Sequence, residues 1–108
     1  MVVGKTIRQA RDWRARARGL LGRTSLEAGE GLWLLPCRQV HTWFMRMSID
    51  VLFLDRELMV LGVCRNLGPY RLSPLFWRAR SVLELGAGQA QGVQNGHRLS
   101  LKERGDCH

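Results

Sequence analysis

The chain has 108 residues, of which 45% are hydrophobic, and this length and composition are typical of one globular domain with a hydrophobic core. Its 17 basic and 9 acidic residues give a net charge of +8, which favours negatively charged partners. No apolar run approaches the roughly 20 residues that cross a bilayer, and the N-terminal residues lack the apolar core of a signal peptide. We therefore expect residues 1–108 to form a single cytoplasmic domain, monomeric or weakly dimeric and without a cofactor.

The first predicted element is a helix over about residues 13–21. Asp12 can cap its N-terminus, and Gly22 provides a C-terminal stop. At about 100° per residue, the apolar side chains of this segment share one stripe, which comprises Ala10, Trp13, Ala17, Leu20 and Leu21. Residues 2–10 begin with the β-prone pair Val2 and Val3 and then show no clear period, so no element is assigned to them.

The remainder of the chain is predicted to be rich in strands. Apolar or alternating runs indicate strands at residues 31–35, 49–54, 58–64, 81–85 and 97–103. The charged residues Asp55, Arg56 and Glu57 predict a hairpin turn, and the pair Asn95 and Gly96 predicts a second turn. The predicted fold class is α+β: a β-rich domain in which one main helix packs against a strongly bent antiparallel sheet or a small barrel.

Four polar residues between positions 37 and 55 stand among aromatic and sulfur-containing neighbours: Cys37, His41, Thr42 and Asp50. Because an unpaired polar group is costly to bury, each must be hydrogen-bonded within the fold or exposed in a pocket. A pocket in which a few polar groups converge within an apolar wall is the default binding hypothesis. The predicted ligand-binding residues are therefore Arg18, His41, Thr42, Met45 and Asp50, which favours a binding module for a small molecule, peptide or protein over an enzyme.

Asp50 also has a structural interpretation. On a strand it shares one face with Leu52 and Leu54, so its carboxylate needs a partner, either an arginine at position 18 or 23 or a nearby backbone amide. Glu84 poses the same problem on the strand at residues 81–85. Two inward carboxylates could form an acid–base pair, or they could occupy separate hydrogen-bonded niches, and we favour the niches.

Two other function classes remain as alternatives. A basic cluster that begins at Arg8 and ends at Arg23 would suit nucleic acid or another polyanion, although no recognised nucleic-acid motif accompanies it. The C-x3-H spacing of Cys37 and His41 would suit a thiolate–imidazole pair or half of a metal site. The other ligands would have to come from Cys64, His97, Cys107 or His108, no paired C-x2-C motif is present, and no metal is predicted.

A tryptophan-containing loop offers one further candidate surface. Phe76 and Trp77 follow Pro74 in an arginine-rich segment, and an exposed aromatic pair there would mark a partner or ligand surface. The alternative is that this loop folds over the sheet and buries both rings.

An ordered set of short motifs runs from about Ala10 to Leu101. It comprises the segment from Arg16 to Arg23, then Gly31, His41, Thr42, Met45, Ile49 to Val51, Phe53 to Asp55, Val82 to Leu85, Gly88 and Gly96. In this order and spacing the chain resembles an uncharacterised bacterial and archaeal family, domain of unknown function 192. The resemblance implies a small β-rich fold and implies no reaction, cofactor or catalytic residue.

Overall fold

The computed structural model describes residues 6–10, 30–42 and 45–99, with side chains from residue 31 onward. Within these ranges five strands form one sheet: β1 Thr6–Ala10, β2 Glu30–Leu34, β3 Ile49–Leu54, β4 Val60–Leu67 and β5 Ser81–Gly86. The strand order is β1-β2-β5-β3-β4. β1 runs parallel to β2, and every other neighbouring pair is antiparallel. β1 and β4 are therefore the two edges of the sheet that the described residues form.

The two central strands are buried on both faces. All six residues of β3 and all six of β5 are buried, because apolar side chains cover the sheet on each side. Ile49, Val51 and Phe53 belong to a first core with Leu32, Leu34 and Val82. Leu52 and Leu54 belong to a second core with Leu83 and Leu85. The alternation along β3 follows from the two-residue period of a strand, so the predicted division of its faces is confirmed.

The predicted α+β class is wrong for this fold. The described residues form a β-rich sheet and contain no helix. The main helix was expected at about residues 13–21, which lie outside the described residues. The physical reason for the error is that the fold class was assigned from a single apolar stripe. In the described residues the apolar runs pair as strands, as predicted, and β1, whose sequence shows no clear period, adds one more strand.

The predicted hairpin between β3 and β4 is confirmed. The carboxylate of Asp55 organises the turn, since its Oδ1 accepts the N–H groups of Glu57 at 2.8 Å and Met59 at 3.0 Å. Leu58 completes the turn with a positive φ of 63°. The turn at residues 95–96 is also present, with Gly96 at φ 91°. Among the described residues, no helix is long and apolar enough to cross a membrane.

Candidate functional site

Asp50 is held by backbone amides. Its side chain is 1% exposed, and its Oδ1 accepts the N–H of Asn66 at 2.9 Å. Its Oδ2 accepts the N–H groups of Gly88 at 3.0 Å and Ala90 at 2.9 Å. Three amide donors stabilise the negative charge of a buried carboxylate. Asp50 thereby joins β3 to the end of β4 and to the turn that follows β5.

The backbone-amide alternative for Asp50 is therefore the one found in the structure. The arginine alternative involved Arg18 and Arg23, which lie outside the described residues. The positive φ of Gly88, 89°, belongs to the turn that directs two amides at one oxygen, and this conformation favours glycine. Asn66, the third donor, also has a positive φ, of 55°.

Thr42 fastens a loop. It is completely buried, and its hydroxyl donates to the carbonyl oxygen of Gly68 at 2.6 Å while accepting the N–H of Arg71 at 2.8 Å. The Thr42 backbone forms two more bonds with the same loop, each at 2.9 Å. Its N–H donates to the carbonyl oxygen of Arg71, and its carbonyl oxygen accepts the N–H of Tyr70. Thr42 therefore determines the path of residues 68–71.

The other predicted ligand-binding residues differ in their exposure. His41 is exposed and forms an antiparallel bridge with Leu72, whereas Met45 is buried in the first core. Arg18 lies outside the described residues. His41, Thr42 and Asp50 all contact the chain between residues 66 and 72, so the structure connects these three through one segment. Ligand binding by the five residues stays a prediction.

The two buried carboxylates lie on opposite faces of the sheet. Glu84 is the cross-strand partner of Val51, and Asp50 is the partner of Leu85. Directly opposed residues of an antiparallel pair share a face, and successive residues alternate. Asp50 therefore points to the side of the second core and Glu84 to the side of the first. The two carboxylates therefore do not face each other across β3 and β5, and the hydrogen-bonded niche expected for Glu84 stays a prediction.

The cysteines and histidines give no grouped metal site within the described residues. There, no three His, Cys, Asp or Glu side chains are placed so that they could hold a metal ion. Cys37 is buried and its thiol donates to the carbonyl oxygen of Gln39 at 3.1 Å, while His41 is exposed. Burial raises the pKa of the Cys64 thiol above its ordinary value. Cys107 and His108 lie outside the described residues.

The exposed apolar side chains are concentrated on one loop, residues 68–80, which we name the presenting loop. All large hydrophobic side chains that are exposed among the described residues lie on it: Tyr70, Leu72, Leu75 and Trp77. Trp77 is 74% exposed and Tyr70 is 59% exposed. Phe76 instead stacks on Phe53, with ring centroids 4.2 Å apart. The sequence analysis identified Phe76 and Trp77 as a candidate surface pair, but it did not predict which of the two rings is exposed. It did not identify Tyr70 or Leu72.

The backbone of the presenting loop is fixed by the segment at residues 37–42. Ser73 exchanges bonds with Val40, since its N–H donates to the Val40 carbonyl oxygen and its hydroxyl accepts the Val40 N–H, each at 2.9 Å. Phe76 N–H donates to the Arg38 carbonyl oxygen at 3.0 Å. Tyr70 adopts a positive φ of 58°, which is uncommon for a residue with a Cβ and is sustained only where surrounding contacts enforce it. The exposed side chains therefore project from an ordered backbone.

The comparisons with known proteins agree with this fold. Residues 3–101 match the family model described as uncharacterised, domain of unknown function 192, and the chain belongs to that family. No curated protein matches the chain.

Two solved structures are similar to this chain. A protein of unknown function from Novosphingobium aromaticivorans is 26% identical, with a TM-score of 0.75 over 83% of this chain and 70% of that one. A protein from Sinorhizobium meliloti, described as a candidate transcription regulator, is also 26% identical, with a TM-score of 0.70 over 85% of this chain and 78% of that one. Family membership thus identifies the fold and assigns no activity.

Proposed function

We propose that the protein is a binding module for an acidic protein partner, which binds the presenting loop. One observation carries this proposal: every exposed large hydrophobic side chain of the described residues belongs to this loop, and the loop backbone is held in place by hydrogen bonds. Single exposed apolar residues are common on protein surfaces and need no explanation. Four of them within eight residues of an ordered loop are typical of an interaction surface.

The charge of this surface defines the partner's chemistry. Arg71, Arg78 and Arg80 are exposed on the same loop, and the whole chain has a net charge of +8. Tryptophan, tyrosine and arginine are the residues that contribute most to binding energy in protein interfaces. An acidic surface with an apolar centre would complement the loop, since its carboxylates can pair with guanidinium groups through two hydrogen bonds.

Nucleic acid is the rival partner for this surface. The relative described as a candidate transcription regulator raises that alternative. Bases stack on aromatic rings, and Tyr70 and Trp77 would provide two such rings. Leu72 and Leu75 have no ring on which a base could stack, yet they are 59% and 41% exposed. A partner that covers all four side chains must provide apolar surface, which favours a protein.

Site-specific photocrosslinking in the cells that produce the protein tests this proposal. A benzophenone amino acid replaces Trp77 in one variant and the exposed residue Gln91 in a matched control variant. We expect a discrete protein adduct from position 77 and none from position 91. The purified partner should then bind wild-type protein, and Trp77→Ser should weaken that binding at least tenfold, because a hot-spot tryptophan contributes about 2 kcal/mol or more.

The charge requirement is tested with a second pair of variants. Arg78→Glu should weaken binding of the partner, whereas Arg56→Glu, an equally charged change in the turn between β3 and β4, should leave it unchanged. The absence of an adduct specific to position 77 would refute the proposal. An adduct that nuclease treatment removes would refute it as well, and would identify nucleic acid as the partner.

A further inference from the structure

A groove of about 590 Å³ runs beside the outer edge of β4 and shares one residue, Phe76, with the presenting loop. One wall is the strand itself, at residues 61–63 and 65, and the opposite wall is the chain at residues 93–95. The ring of Phe76 completes the lining. This volume lies within the range of about 300–1,000 Å³ that is typical of ligand sites.

The groove exists because the chain near residues 96–97 pairs with only one residue of β4, Val60, and lies apart from the rest of that strand. Val60 donates its N–H to the carbonyl oxygen of His97 and accepts the N–H of Gly96, each at 2.8 Å. At residues 93–95 the chain has separated from the strand. In the described part of the chain, residues 61–65 form backbone hydrogen bonds with β3 alone. The outward N–H and C=O groups of an edge strand form a template for a further strand.

One arginine spans the groove and dominates its charge. The guanidinium group of Arg65 donates to the carbonyl oxygen of Val93, on the opposite wall. A guanidinium group has five N–H donors, so one such bond leaves others for a ligand. Among the described residues that line the groove, the others are neutral, and none of them is Asp or Glu. A carboxylate is the charged group that this arrangement would attract.

Gly62 brings the aromatic wall close to the strand. A Cβ at this position would lie 2.3 Å from Cζ of Phe76, so any other residue would displace the ring. The absence of a side chain allows the ring to lie against the strand and to stack on Phe53. Among the described residues, the groove therefore combines the apolar side chains of Leu61 and Val63 with the outward backbone groups of β4 and with one cation, Arg65.

We propose that this groove binds an extended acidic peptide segment as an added strand on β4, with a peptide carboxylate on Arg65. Within the described residues, the outer edge of β4 supplies main-chain hydrogen bonds, Leu61 and Val63 contact side chains of the peptide, and the guanidinium group selects an acidic residue. This is the mode of recognition in which main-chain pairing provides affinity and side-chain pockets provide specificity. The site is separate from the exposed side chains of the presenting loop, so it does not depend on the function proposed above.

The test uses a library of random twelve-residue peptides displayed on phage, selected on the wild-type protein. We expect enriched peptides that share an acidic residue within a β-prone segment. A synthetic peptide of the consensus should protect amides of residues 61–65 from hydrogen exchange. Methylating alternate peptide nitrogens removes the donors needed for strand pairing, and it should abolish binding.

Three variants test the carboxylate contact. Arg65→Gln should weaken binding at least tenfold and Arg65→Lys less, while Arg46→Gln, the same change at an exposed arginine outside the groove, should have no effect. Because the change at Arg65 also removes the contact with Val93, a further variant leaves that contact intact. Gln94→Glu adds an acidic group to the groove wall and should weaken binding of the acidic peptide. Thermal melting confirms that each variant is folded.

The proposal would be overturned by three results. One is the absence of peptides enriched on the wild type relative to Arg65→Gln. Another is a consensus peptide that binds equally well after backbone methylation. The third is binding that is lost on Trp77→Ser but kept in Arg65→Gln, which would place the peptide on the presenting loop.

Discussion

Replacing Asp50 with asparagine should destabilise the fold strongly, although the two side chains have nearly the same size. The carboxylate uses both oxygens, one for the N–H of Asn66 and the other for the N–H groups of Gly88 and Ala90. An asparagine side chain has only one oxygen and places an NH2 group at the other position. Whichever orientation it takes, at least one backbone N–H faces another donor.

The size of the effect follows from these three bonds. In the better orientation the amide oxygen retains two N–H groups, and the third loses its acceptor, which costs about 1–3 kcal/mol. The two retained bonds change from charged to neutral, and each loses roughly 1 kcal/mol, the difference between typical charged and neutral hydrogen bonds. The expected loss in the free energy of unfolding is therefore about 3–5 kcal/mol, near the upper end for single substitutions.

Asp55 offers a matched control for this prediction. Its Oδ1 alone accepts both N–H groups of the turn, those of Glu57 and Met59, so the oxygen of an asparagine can replace it. Both bonds persist and change from charged to neutral in a partly exposed turn, so Asp55→Asn should cost at most about 2 kcal/mol, clearly less than Asp50→Asn. Urea unfolding at neutral pH measures both variants. If Asp50→Asn is as stable as the wild type, the amide niche does not stabilise the fold, and Asp50 becomes the first residue to test for a role in binding or catalysis.

Three further predictions concern the neighbouring elements. Thr42→Val removes a fully buried hydroxyl and leaves two backbone groups of the presenting loop unpaired, so urea unfolding should show a loss of about 2–4 kcal/mol and Thr42→Ser a smaller one. Gly62→Ala should cost about 1–3 kcal/mol by displacing Phe76, and less when Phe76 is already alanine. Because burial raises the pKa of the Cys64 thiol, the unfolded chain loses its thiol proton first as the pH rises. Stability should therefore fall as the pH passes 9.0, and this fall should vanish in Cys64→Ala.

The central strands could be predicted from the sequence because their runs of apolar side chains are typical of buried strands. The run from Ile49 to Leu54 is apolar on both faces, which is typical of a strand covered on both sides. β1 carries no such signal. Its residues, Thr6–Ala10, do not alternate, and the strand exists because its backbone pairs with β2, about 24 positions along the chain. A parallel edge strand of five residues is defined by its partner more than by its own side chains.

The partners of Asp50 could not be predicted for a related reason. Its donors are backbone N–H groups located 16, 38 and 40 positions away. Every residue except proline has a backbone N–H, so the residue types in the sequence do not show which N–H groups will bond Asp50. The sequence does indicate that a buried carboxylate needs a partner, and the charged residues it suggests for that role are the arginines at positions 18 and 23. The exposure of Trp77 likewise depends on how the loop is attached to residues 37–42, which no local pattern reveals.

The residues on which the family resemblance depends include Thr42, Asp50 and Gly88. In the structure Thr42 bonds the presenting loop to the segment at residues 37–42, and Asp50 bonds the turn that contains Gly88 to β3. Their roles are explained by hydrogen bonds that the fold requires, so the family pattern identifies an architecture without identifying a reaction. Tyr70 and Trp77, which face solvent, stand outside that pattern, whereas His41, which is also exposed, belongs to it. We therefore seek the function on the surfaces that Thr42, Asp50 and Gly88 hold in place. A substitution at one of these three residues is expected to change stability, so its effect on binding must be measured with the stability of the variant.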